Sequence, residues 1–101
     1  MEHEPIPAPI VTTGARAIAD TVAERLRQIT QFGHSPHLDV AEYRDHPDRV
    51  PRLSRIAANA ARDAGEDMQF HKLEQARRKA VKAAASCLAL IELIDNLEDH
   101  Q

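Results

Sequence analysis

The chain reads as an all-α protein: a small helical bundle of three main helices and one short helix, with a long C-terminal helix used for oligomerisation. Three observations predict this. Apolar and polar residues nowhere alternate at a period of two, the mark of a half-buried strand. Aromatic residues are confined to Phe32, Tyr43 and Phe70, so the core must come from Leu, Ile, Val and much Ala, the residue with the best helix propensity. Finally, a heptad runs unbroken through Leu73, Ala76, Ala80, Ala83, Cys87, Leu90, Ile94 and Leu97, in steps of three and four. A period of 3.5 keeps one seam facing a partner helix along its whole length.

With 101 residues the chain is one small domain. A domain of this size buries roughly two thirds of its unfolded surface, enough for one modest core and too little for a deep enzyme cleft. Residues 1–11 carry Glu2, Glu4, Pro5, Pro7 and Pro9 and lack the basic start and apolar centre of a signal peptide. They read as a disordered or extended arm, leaving residues 12–101 as a single helical domain.

Thr12 or Thr13 is placed to cap a first helix whose stripe is Ala15, Ile18, Val22, Leu26 and Ile29, spaced for one helical face. Gly33 stops it, as glycine does just past a helix C-terminus. Ser35-Pro36 is an N-cap followed by proline at the first helical position, predicting a short helix to about Arg44 that ends at His46-Pro47. Asp48 is the expected cap of the next helix, where Leu53, Ile56, Ala57, Ala60, Ala61 and Ala64 form an amphipathic stripe.

Gly65 predicts a break or kink, with Asp67 capping a last helix that runs to about Glu98. At 1.5 Å per residue that helix is roughly 45 Å long against about 30 Å for the first. Val81, Ala84, Leu88 and Ile91 add a second apolar line beside the heptad. A face this wide and this long outreaches the other helices, and left open on a monomer it is an aggregation liability. Self-association through Leu73, Ala80, Ala83, Cys87, Leu90, Ile94 and Leu97 is the economical answer.

Two stretches resemble a family of small proteins encoded by phages and prophages. Glu24-Arg25-Leu26-Arg27-Gln28-Ile29 followed by Gly33-His34-Ser35-Pro36-His37-Leu38-Asp39 is similar to that family's opening, an E-R-x-R-Q helix end, then a glycine and S/T-P-x-x-D. The basic-then-apolar run from Arg77 through Lys82 to Leu90-Ile91-Glu92-Leu93-Ile94-Asp95 is similar to its closing helix. Phe32 stands where the family carries an acid, and His37-Leu38-Asp39-Val40 replaces its E-H-D-D run. Members of this family are generally of unknown function. The resemblance implies a phage-related origin, and with it the cytoplasm of a bacterial host, and it supplies no catalytic residues.

The remaining composition bounds the chemistry. The single Cys87 cannot form an internal disulfide, fits a reducing cytoplasm and, inside the heptad, reads as a small buried hydrophobe. No run approaches the ~18 apolar residues of a membrane span. His34, His37, Asp39, His46 and Asp48 have metal-ligand side chains but lack an i, i+4 pair on one helix, so no metal and no cofactor is expected. Glu92, Asp95, Glu98 and Asp99 sit at the end of the last helix as a solvated face. The facing E-x-x-E pattern that would hold Mg²⁺ in an all-α nucleotide pyrophosphohydrolase is missing.

Charge is the better guide. Residues 49–82 hold nine Lys/Arg against four acids, residues 1–48 four against eight, and residues 83–101 none against four, giving local charges of +5, −4 and −4 within a net −3. Arg52, Arg55 and Arg62 line the polar side of one helix, and Arg78 and Lys82 that of the next. With the two helices antiparallel, both sets border one groove, and the arginine fork suits phosphate or carboxylate. An acidic chain with no aromatic platform disfavours nucleic acid. The expected function is therefore binding without catalysis: a host or phage protein, or a small anionic ligand such as a nucleotide, with inhibition of host defence one role that fits. The alternative class is a small metal-dependent nucleotide pyrophosphohydrolase.

Overall fold

The computed structural model describes residues 8–33 and 35–99. They form α1 (Ala8–Phe32), α2 (Pro36–Asp45), α3 (Arg52–Gln69) and α4 (Leu73–Asp99), with no strand among the described residues. The all-α architecture matches the expectation, but several boundaries move.

Helix α1 starts at Ala8, ahead of the cap expected at Thr12 or Thr13. Pro9 does not prevent this, because the first-turn N–H that proline lacks has no intrahelical acceptor to lose. Residues 1–7 of the expected arm lie outside the described residues. Gly33 ends the helix as anticipated, at a φ of 67° that a side chain would oppose. Helix α2 begins as its sequence dictates: Pro36 stands at its start, and the Ser35 hydroxyl accepts from the Leu38 N–H at 3.3 Å.

Helix α3 begins at Arg52, and Asp48 does not cap it. The reason is Pro51: a residue preceding proline is driven from the helical region, so Val50 cannot belong to a helix. Gly65 does not break α3, which continues to Gln69. Ala57, Ala60 and Ala64 are all buried on one face, and this packing outweighs the ~1 kcal/mol that glycine costs inside a helix. The chain instead reverses at His71, whose φ of 58° is left-handed. The His71 N–H donates to the Met68 carbonyl at 3.1 Å and the Lys72 N–H to the Asp67 carbonyl at 2.9 Å, a Schellman ending built on a residue other than glycine.

Among the described residues the backbones of α1, α2 and α3 each lie alongside α4 and do not approach one another closely. With α1 at 25 residues and α4 at 27, both are roughly 40 Å long, so the expected mismatch of lengths disappears. Helix α3 runs antiparallel to α4: Asp67 meets Lys79 beside the turn, while Leu53 and Ser86 share a hollow farther along. Helix α1 runs parallel to α4, since Asp20 pairs with Arg77 and Arg25 with Glu92.

The buried apolar residues are Ala57, Ala60, Ala64, Ala76, Ala83, Ala85, Ala89 and Leu93, so the helices approach closely. Buried Ser86 is satisfied by donating to the Lys82 carbonyl at 3.0 Å. The heptad does not face a single partner within the chain. Ala76 and Ala83 are buried and Leu90 and Leu97 half-buried, while Leu73, Ala80, Cys87 and Ile94 are exposed. Cys87 is thus no buried hydrophobe, because α3 lies to one side of the seam.

A methyl group at Gly65 meets nothing within 4 Å. Gly65→Ala should therefore raise the unfolding free energy by about 0.5–1 kcal/mol in a denaturant titration. Gly33→Ala should lower it, because its left-handed backbone penalises any side chain.

Candidate functional site

The polar side of α1 meets that of α4 across a set of ion pairs. Arg25, only 4% exposed, donates through Nη2 to Glu92 Oε2 at 2.8 Å and lies 3.8 Å from Asp39 Oδ2. It joins α1, α2 and α4 at one point. Its burial was not legible from the α1 stripe, because Ile18, Val22 and Leu26 of that stripe are exposed while Arg25 is buried. Arg25, Asp39 and Glu92, far apart in the sequence, meet here in space. Glu92 is consequently not part of a solvated acidic face: Arg25 holds it.

Outside this triad, a shallow trough runs along the polar side of the helices. Its middle is bordered by Arg27 and Gln28 of α1, Arg52 and Leu53 of α3, and Lys82 and Ser86 of α4. Toward α2 it continues past Glu42, Arg49 and Arg55; toward the start of α4 it continues past Arg78 and Arg77. Most acids bordering it are already engaged. Arg27 donates to Glu24 at 2.8 Å through Nε, Arg77 to Asp20 at 2.7 Å, and Lys79 lies 2.6 Å from Asp67. Hydrogen bonding to these carboxylates raises the pKa of Arg27 and of Lys79. A raised lysine pKa keeps the Lys79–Asp67 tie intact below the ordinary lysine range, and it is lost only as pH climbs through the higher folded value.

Of the five residues expected to bind anions, the structure brings four to this trough. Arg52 and Lys82 face its middle from α3 and α4, Arg78 stands one turn before Lys82, and Arg55 lies at the α2 end. Among the described residues these four form no ion pair. Arg62 stands apart, exposed and beside Asp63 at 3.6 Å and Glu66 at 3.9 Å. The juxtaposition was expected from a turn at Gly65 and is produced by the one at His71.

The histidine segment does not converge. His37 lines a separate hollow with Arg44 and Asn96, His46 lies near Arg55, Asp39 faces Arg25, and His34 is outside the described residues. Among the described residues no group of three His, Cys, Asp or Glu is placed to hold a metal ion, and no helix is long and apolar enough to cross a membrane.

Comparison with known proteins finds no matching protein-family model, and no significant match among curated proteins or solved structures. Function must therefore be read from the trough itself.

Removing Arg25 leaves Asp39 buried without its cation, a loss of the kind that costs about 3–5 kcal/mol. Arg25→Ala should thus destabilise strongly in urea titrations. Glu92→Gln, at a half-exposed position that retains an acceptor, should cost only about 1 kcal/mol.

Proposed function

We propose that this chain acts by binding, and that the trough between α1, α3 and α4 takes a phosphate- or carboxylate-bearing ligand: a nucleotide-like small anion, or the acidic surface of a host or phage protein. One observation carries the reading. Arg52 and Lys82 arrive from different helices at the same groove and have no ion-pair partner among the described residues, while the neighbouring acids Glu24, Asp20 and Asp39 are occupied by Arg27, Arg77 and Arg25. Arg52, Arg55, Arg78 and Lys82 outnumber Glu42, a bordering acid that forms no ion pair among the described residues, and this excess creates a local positive potential on a molecule of net charge −3. Arginine adds a planar fork that grips two oxygens at once. The phage-type origin implied by the sequence resemblance agrees with a small protein whose role is to engage a partner.

Calorimetry with a nucleoside triphosphate tests this directly. Arg52→Glu and Lys82→Glu should each weaken binding about tenfold, and together abolish it, without changing helicity. Arg62→Glu, outside the trough, should leave affinity unchanged. Affinity should fall as salt rises, less steeply than for a protein making many phosphate contacts along DNA. Binding that survives the double substitution would refute the site.

A further inference from the structure

The side of the molecule opposite the trough is apolar. On α1, Ile18, Val22 and Leu26 repeat every four residues; on α4, Leu73, Ile91 and Ile94 lie on the open side, and all six are between 47% and 69% exposed. The trough takes Arg27 and Gln28 from α1 and Lys82 and Ser86 from α4. Because the two helices pack side by side, their remaining sides form one continuous face. These six residues alone expose on the order of 600 Å² of apolar surface, the upper end for a monomer. Exposed Ala80, Ala84 and Cys87 extend it toward the ~800 Å² per partner that a stable pair buries.

We infer that this face is covered by a second copy of the chain, with the two α4 helices antiparallel about a two-fold axis between Ala84 and Cys87. Two features select that occupant and that direction. The first is relief. Between Leu73 and Ile94, both large, the open line of α4 is small at Ala80 and Ala84 and larger at Cys87 and Ile91. An antiparallel crossing centred between Ala84 and Cys87 sets Ala80 against the partner subunit's Ile91, and Ala84 against the partner's Cys87, so that bulk meets recess in both directions. The second is charge. Glu98, seven residues after Ile91 on the open line, is exposed near the end of α4, and Lys72 is exposed just before its start, whereas Arg78 and Lys82 line the trough and Arg77 and Lys79 are engaged by Asp20 and Asp67. The antiparallel register sets Glu98 against the partner subunit's Leu73 and so beside the partner's Lys72; parallel pairing sets it against the partner's Glu98. An isologous interface of this kind needs one patch to be its own complement, and this one is. It revises the heptad seam: Ala76 and Ala83 are buried within the chain, and the open line shifts to Ala84 and Ile91.

Sedimentation equilibrium of the full chain across the micromolar range should give twice the 11.3 kDa chain mass. Ile91→Lys and Ala80→Glu should each yield a monomer of unchanged helicity, since both side chains are already exposed within one chain. The double variant Ala80→Glu/Ile91→Lys should recover the dimer, because each new acid then faces the partner's new base. A short bis-maleimide should link Cys87 to the partner's Cys87, and Cys87→Ser should remove the link while keeping the dimer mass. A single-chain mass for the unmodified protein overturns the inference, as does a dimer that survives Ile91→Lys. A double variant that stays monomeric overturns the antiparallel register.

Discussion

Every close backbone approach between the described helices involves α4, with α1, α2 and α3 each lying alongside it. The perimeter of one helix is therefore shared among three neighbours, and each can take only a narrow strip. Narrow strips explain the alanines. A small side chain lets a backbone approach closely and collect dispersion contacts along its length, where a large one would hold it off. Leu93 is the one large apolar residue among those buried, near the end of α4 where α2 also packs. An alanine strip is smooth, however, and does little to prevent a neighbour from slipping by a turn. Arg25 supplies the missing register. It must meet Glu92 of α4 and Asp39 of α2 together, and a shift of one turn would strand a buried charge. The ion triad thus ties α1 to α2, two helices whose backbones do not approach closely, as well as to α4.

Where local chemistry alone decides structure, the sequence was readable. Ser35-Pro36 starts α2 and Gly33 ends α1 because capping and the left-handed backbone involve only neighbouring residues. The α3 stripe was equally plain, since Ala57, Ala60 and Ala64 repeat on one face. The failures share a cause. Gly65 was expected to punctuate because glycine is the usual helix breaker, yet burial of that stripe on α4 carries the helix through it. The turn then falls on His71, a residue that tolerates a left-handed backbone better than most but signals it far less plainly than glycine. Likewise the period of the heptad was legible, but which strip of it faces α3 was not, because that depends on how neighbours divide α4. The basic residues of the candidate site could be found from charge distribution; their grouping, with Arg62 excluded, needed the helix rotations.

The charge pattern along the chain has a structural counterpart. The basic excess of residues 49–82 is partly consumed within the fold, where Arg77 engages Asp20 and Lys79 engages Asp67. Both pairs sit near the start of α4, and Asp20 borders the trough. What remains is Arg52, Arg55, Arg78 and Lys82, concentrated along one side. A potential of this kind arises less from the number of cations than from the prior engagement of nearby acids. Each carboxylate tied to an arginine or lysine elsewhere is one fewer to neutralise the groove.

Trough and apolar face are separated by the body of α4, and this has a mechanical consequence. Polar residues of α4 at Lys82 and Ser86 turn to one side, while Ile91 and Ile94 turn to the other. Two chains joined through their apolar faces would place their troughs on opposite outer surfaces, both open. Association would then raise stability by burying the strips that neighbouring helices leave uncovered, at no cost in access to the cations. It would also create two identical anion-binding surfaces facing away from each other, a geometry suited to bridging two acidic partners and unsuited to enclosing one. The same helix that organises a single chain would thereby set both how copies join and in which directions the pair presents its charge.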